Sequence, residues 1–195
     1  MRRKICAGCS ISVLCGLFLV STAGFADEQK GTGRDMSQIE RGHYLVTVGG
    51  CNDCHSPKKM TPKGPIPDET RLLSGHPADE ILPMVPPDII GPTKWGALVN
   101  NNLTGWVGPW GTSYTSNLTP DKETGFGNIS EDLFIKILRT GKFMAGERDI
   151  LPPMPWYELS KLSDSDLNAI FIYLKTLTPV KNRVPLPTPP THTQQ

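Results

Sequence analysis

Cys51-Asn52-Asp53-Cys54-His55 is the stretch from which the rest of this chain is read. The spacing C-x-x-C-H is the signature of covalent haem attachment. Two thiols three positions apart can add across the two vinyl groups of one porphyrin and form thioethers. The His beside the second thiol then lies close enough for its imidazole to become an axial iron ligand. The pattern nominates Cys51 and Cys54 as tethers and His55 as the proximal ligand. No second C-x-x-C-H follows, so one haem c per chain is expected. Two other chemistries use the same spacing. A redox dithiol would sit beside a βαβ pattern, and none is legible here. A zinc site needs two further ligands. Of the 5 cysteines, Cys6, Cys9 and Cys15 lie in a leader-like segment, and His43, His76 and His192 are scattered.

That leader is Arg2-Arg3-Lys4, an apolar run from Ile11 to Val20, and small residues at Gly24 and Ala26. It reads as a secretory signal peptide over residues 1–26, and it implies a periplasmic protein. The uncharged stretch from Ile5 to Ala26 is also long enough to span a bilayer if it is not cut. Its Ser, Thr and Gly content argues for cleavage. The domain is then expected over 27–180. Only Cys51 and Cys54 are kept, and both are used by the haem, so no disulfide is available. Losing Arg2, Arg3 and Lys4 leaves 17 of the 20 basic residues against 19 acids, a formal charge of −2. So neutral a surface argues against nucleic-acid binding and against strong electrostatic steering.

Three helices stand out. The first is expected from about Ser37 to Val48, opened by the capping box Ser37-x-x-Glu40 and closed by Gly49-Gly50. The second runs from about Glu131 to Thr140, with Ser130 as N-cap, an apolar stripe of Leu133, Phe134, Ile137 and Leu138, and Gly141 at its end. The third runs from about Asp164 to Leu177 behind Ser163, with Leu167, Ile170, Phe171 and Leu174 on one face. Between the first two lies Ser56–Asn117, with ten prolines from Pro57 to Pro109 and three of the four tryptophans. That proline density argues against regular structure. The Pro-rich end, 181–195, is expected to be disordered.

A low-spin electron-transfer haem takes a second axial ligand, usually Met or His. The candidates are Met36, Met60, Met84, Met144, Met154 and the other histidines. Met60 is too close to His55 in sequence to reach the far face. Met84 and Met154 both sit among prolines, which hold a loop with little entropy to lose.

The order helix, C-x-x-C-H, long loop, helix, Met loop, helix resembles the class I cytochrome c fold. More closely, Arg41-Gly42-His43-Tyr44-Leu45-Val46 before Cys51, Asn117–Gly127 with the helix after it, and Leu151-Pro-Pro-Met-Pro-Trp156 resemble the cytochrome subunits of bacterial alcohol and sugar dehydrogenases. The resemblance covers 38–59 and 114–178 and skips an insertion at about 66–112. It implies an all-α fold of about three core helices around one covalently bound haem, with that Pro/Gly/Trp-rich insertion as loop. It implies Met154 as the distal iron ligand, because the family's Met lies between the middle and last helices. It implies Pro65, in the step Gly64-Pro65, as the carbonyl acceptor for His55, with Pro57 as an alternative. Gly42 is implied as the point where the first and last helices cross.

The expected function is a periplasmic single-electron carrier with His/Met ligation. A filled coordination sphere leaves no site for catalysis. Its redox partners would be a dehydrogenase, a terminal oxidase or both, with membrane association through a partner or an uncleaved leader. One rival is a haem subunit permanently docked to a dehydrogenase or oxidase complex, the insertion serving as docking surface. The other is a five-coordinate haem acting as peroxidase or sensor.

Overall fold

Ser37 opens the described structure with the reciprocal cap its sequence calls for. Its hydroxyl accepts from Glu40 N at 3.2 Å, and its own N–H donates to Glu40 Oε2 at 2.9 Å. The structure is a computed structural model and describes residues 37–190 except 87 and 144–147. The leader, Met36, Met144 and residues 191–195 lie outside the described residues. Among those described, no helix is long and apolar enough to cross a membrane.

Helix α1 spans Gln38–Val48, and the short helix α2, Cys51–His55, follows Gly49-Gly50. Gly50 turns the chain at φ +64, a conformation that strains any residue with a Cβ. Helix α3 is Glu131–Thr140, capped by Ser130 and ended by Gly141 in the left-handed region. Helix α4 is Trp156–Leu159, and α5 is Asp164–Thr176, capped by Ser163. Helices α1, α3 and α5 carry the apolar stripes and supply most of the core: Val46, Phe134, Leu138, Leu167, Ile170 and Leu174. Each such buried side chain contributes about 1.5–3 kcal/mol relative to exposure. α1 crosses α5 at Gly42, where a Cβ would stand 2.0 Å from the Ala169 carbonyl oxygen. Only glycine permits that approach.

The expectation of an all-α class I cytochrome c fold does not hold. Three small antiparallel sheets accompany the helices. β1 (Lys58–Thr61) pairs with β2 (Gly64–Pro67). β3 (Leu98–Val99), β4 (Gly105–Gly108) and β5 (Gly111–Tyr114) form the second sheet. β6 (Lys142–Phe143) pairs with β7 (Arg148–Asp149). Proline density misleads here for a physical reason. A two-stranded ribbon has only edge strands, and a proline is tolerated where its missing N–H would face outward. Pro65 and Pro67, two residues apart, share one side of β2, opposite Met60 and Lys58. β4 and β5 turn through Pro109-Trp110 between the paired Gly108 and Gly111. The Trp110 ring folds back over Gly108, where a Cβ would lie 2.4 Å from it.

The segment 181–190, expected to be disordered, is instead held at Asn182 and at Thr188. Asn182 Nδ2 donates to the carbonyls of Ser74 (2.7 Å) and His76 (2.8 Å), and Ala78 N donates to Asn182 Oδ1 (2.9 Å). Thr188 bridges to Thr112 through two backbone bonds, 2.9 and 3.1 Å. Prolines that cannot build a helix still leave carbonyls and N–H groups of their neighbours free to bond elsewhere.

Candidate cofactor site

α2 carries Cys51, Cys54 and His55 on little more than one turn, so all three side chains reach the same side. His55 closes the helix and is 8% exposed. Its Nδ1 lies 2.8 Å from the carbonyl oxygen of Ser116. A carbonyl only accepts, so Nδ1 carries the proton and Nε2 keeps its lone pair. Burial lowers the basicity of the ring, partly offset by that bond, so it stays neutral at neutral pH. A neutral imidazole fixed through one nitrogen is the form that ligates a metal through the other.

Burial pushes the Cys51 thiol up to about 11 and raises that of Cys54. Neither is the thiolate a dithiol oxidoreductase exposes. Among the described residues no three His, Cys, Asp or Glu side chains gather as a metal cluster.

The three residues open into a cavity of about 310 Å³. Its wall is largely apolar, with Leu45, Val46 and Phe126 near the motif and Phe134, Leu138 and Leu174 from α3 and α5. Met154 lines the same cavity, carried by the loop between β7 and α4. That loop is held from two directions. Ser113 Oγ donates to the Pro152 carbonyl at 2.6 Å, and Ile150 N donates to Gly141 O at 2.8 Å. Thr115 also lines the cavity. Thr115 Oγ1 is buried with no hydrogen-bond partner among the described residues. Two thiols, an oriented imidazole, a thioether and a mainly apolar wall suit a porphyrin, an apolar disc with a metal at its centre and a polar rim.

The other nominated residues fall elsewhere. Pro65 sits in β2 opposite Met60, and the carbonyl that braces His55 belongs to Ser116, not Pro65. Met60 and Met84 are 68% and 96% exposed and do not line the cavity. His76 is fully buried with Nδ1 on Thr104 Oγ1 (3.0 Å) and Nε2 on the Glu80 carbonyl (3.2 Å), so both nitrogens are engaged. His43 stacks on Tyr173 with ring centroids 5.0 Å apart.

Sequence reasoning misses Ser116, Thr115 and Arg148. Ser116 acts through a main-chain atom, for which no side chain gives a signal. It is placed by β5, and the pair of glycines around Pro109-Trp110 was the available sign of that hairpin. His76 N donates to Thr115 O (3.0 Å), Leu118 N to Leu73 O (2.8 Å) and Gly75 N to His55 O (2.7 Å). The stretch 73–76 thus ties the end of α2 to the strand that delivers the Ser116 carbonyl.

No known family profile matches the chain. Individual curated proteins do. The cytochrome c subunit of gluconate 2-dehydrogenase from Pantoea cypripedii is 30% identical over 154 residues, 79% of this chain and 25% of the relative. The cytochrome c subunit of quinone-dependent alcohol dehydrogenase from Gluconobacter oxydans is 39% identical over 166 residues, 85% of this chain and 26% of the relative. The cytochrome subunit of fructose dehydrogenase from Gluconobacter japonicus is 28% identical over 155 residues, 76% of this chain and 24% of the relative. The chain spans about a quarter of the length of these relatives. Its resemblance to the cytochrome c subunits of dehydrogenases extends over most of its own length, the insertion region included.

Proposed function

We propose that this chain, like the haem-bearing subunits it resembles, is an electron-transfer protein, and that its cavity holds one haem c. The observation that carries the reading is the convergence of Cys51, Cys54, an oriented His55 and Met154 on one largely apolar cavity. Bound there, haem c supplies one-electron chemistry between ferrous and ferric iron. Cys51 and Cys54 are the thioether tethers. His55 offers Nε2 as proximal ligand, and the Ser116 carbonyl holds the ring at the angle that ligation needs and makes the nitrogen more basic. Met154 offers its sulfur as distal ligand. A thioether favours the ferrous state relative to a second imidazole, and the apolar wall acts in the same direction by keeping water away. His55 and Met154 would together hold the iron of a bound haem, which would leave the protein an electron carrier with no position open to a substrate.

Residues 1–26, read as a leader cut after Ala26, support a periplasmic mature chain that begins at Asp27. Its electrons come from a dehydrogenase and pass to a further acceptor such as a terminal oxidase. The relatives' names favour a standing complex with the dehydrogenase over a freely diffusing carrier. Copurification from native membranes, read with a pyridine haemochrome spectrum, tests both levels. The reading expects a dehydrogenase polypeptide in the purified fraction and the spectrum of a haem with both vinyls saturated. Haem extractable by acid solvent overturns the attachment, and a carrier that elutes alone from gently solubilised membranes overturns the standing complex.

A further inference from the structure

Arg148 is the only residue with a formal charge at neutral pH among the described residues that line the cavity. It opens β7, half-buried, with its guanidinium carbon 4.5 Å from the centroid of the Phe143 ring on β6. Arg41, Arg71 and Arg139 each meet a carboxylate, on Asp166, Asp68 and Asp164 respectively. Arg148 meets none among the described residues. Of the two carboxylates that flank it in sequence, Glu147 lies outside the described residues, and Asp149 is taken by Lys142 across the ribbon. Burial lowers the pKa of Arg148, with no bonding partner to offset it, though an arginine stays protonated even so. A half-buried cation facing an apolar cavity is costly unless the cavity's occupant supplies the counter-charge.

A porphyrin of the haem type brings two propionate carboxylates on an otherwise apolar disc. We infer that the Arg148 guanidinium, braced on the Phe143 ring, binds a haem propionate and holds it ionised. The inference rests on the haem reading above and adds to it a residue that sets the electrostatics of the bound group. A planar guanidinium suits a carboxylate through two parallel N–H donors, and stacking on Phe143 fixes its plane. A positive charge at the rim also favours the less positive ferrous iron.

The consequence can be read on an electrode. In the wild-type protein, one electron from the electrode converts ferric to ferrous iron and no proton is taken up between pH 5 and 8. In Arg148→Gln the propionate loses its partner and its pKa rises. Over the interval between its values in the two oxidation states, the same electron is accompanied by one proton passing from solvent to a propionate oxygen. The other titratable groups nearby are Asp149 on the same strand, Lys142 on the paired strand, and Tyr114 and His55 across the cavity; Cys51 and Cys54 are consumed by attachment.

The experiment is a mediated redox titration from pH 5 to 8 on wild type, Arg148→Gln, Arg148→Lys and Lys142→Gln, each first checked by pyridine haemochrome. The expected result is a midpoint potential shifted down at pH 8 in Arg148→Gln, climbing as the pH falls. Arg148→Lys should lie nearer wild type. Lys142→Gln, which removes an outer charge, should leave the potential and its pH profile close to wild type. Normal haem attachment with a wild-type potential and pH profile in Arg148→Gln overturns the inference while leaving the haem reading intact. So does an equal shift in Lys142→Gln. If Arg148→Gln does not fold, a shift in Arg148→Lys smaller than that of a neutral Arg148→Met variant decides for it, and equal shifts decide against. Wild-type protein without a haemochrome fails the prior reading instead, and this one with it.

Discussion

The helical frame of α1, α3 and α5 and the stretch from Ser56 to Asn117 build the same cavity by different means. The frame contributes apolar faces, which are redundant: six or more side chains share the burial, and each is one term in a sum. The intervening stretch contributes individual polar bonds, such as Ser116 O to His55 and Asn117 to the carbonyl of Val180. Cys51 and Cys54, the proposed tethers, lie at the junction of the two. What the difference teaches is that packing gives this site its space while main-chain bonding gives it its orientation.

The sharpest way to test the junction is to remove the tethers. Cys51→Ala with Cys54→Ala should abolish covalent haem completely, as read by intact mass of the purified protein. Haem retained in a covalent form would place the attachment elsewhere. The next largest effect belongs to the frame. Gly42→Val would drive a side chain into the Ala169 carbonyl, and should destabilise the fold by about 3 kcal/mol or more, enough to lower the denaturation midpoint clearly. If the two helices separate at little cost, the frame is looser than described.

A smaller but localised loss is expected in the other region. Asn117 is buried, donates to Val180 O at 2.8 Å, and accepts from Thr119 N at 3.0 Å. Asn117→Ala leaves those buried partners unsatisfied and should cost about 1–3 kcal/mol. Hydrogen exchange should show the loss in residues 117–124 and 180–182 rather than in α5. Protection lost equally in α1 and α5 would mean that the two regions unfold as one unit and the contrast drawn between them fails.

The gentlest probe is pH. Burial lowers the pKa of His76 below its ordinary value, so the folded chain holds it neutral while the unfolded chain binds a proton. The unfolded state then carries more protons below about pH 6.5, and stability from this group is complete above that value and drains away as the pH falls through the folded pKa. Asp68, held far below the usual carboxylate range by Thr70, Lys59 and Arg71, adds a second loss only below about pH 4. His76→Gln should flatten the upper of the two windows in a denaturation series. A profile unchanged by that substitution would show that His76 is not held neutral.

How far these features were legible follows the same division. The three long helices could be read because a 3.6-residue stripe and a Ser cap are local signals, and their bounds fall within a residue or so of those expected. That Cys51, Cys54 and His55 share one cavity could be expected from their spacing on a single helical turn. That Met154 and not Met84 lines that cavity could be expected only through the resemblance, since spacing left Met84 equally open. The sheets were illegible because proline counts report local conformation and say nothing about which strand edges face water. Pro65 failed as the brace for His55 because the acceptor is a backbone oxygen 61 residues from the imidazole, brought there by the β4–β5 turn. The hold on residues 181–190 was equally hidden, since it depends on Asn182 finding carbonyls of Ser74 and His76 more than a hundred residues earlier.

The central claim is that His55 and Met154 close the two axial positions of one haem in this cavity. The absorption spectrum of the oxidised protein tests it most directly, recorded for wild type and for Met154→Ala. The account predicts a Met–iron(III) charge-transfer band in wild type that vanishes in Met154→Ala while the haem stays attached. A wild-type spectrum without that band, or a band that survives the substitution, would contradict it.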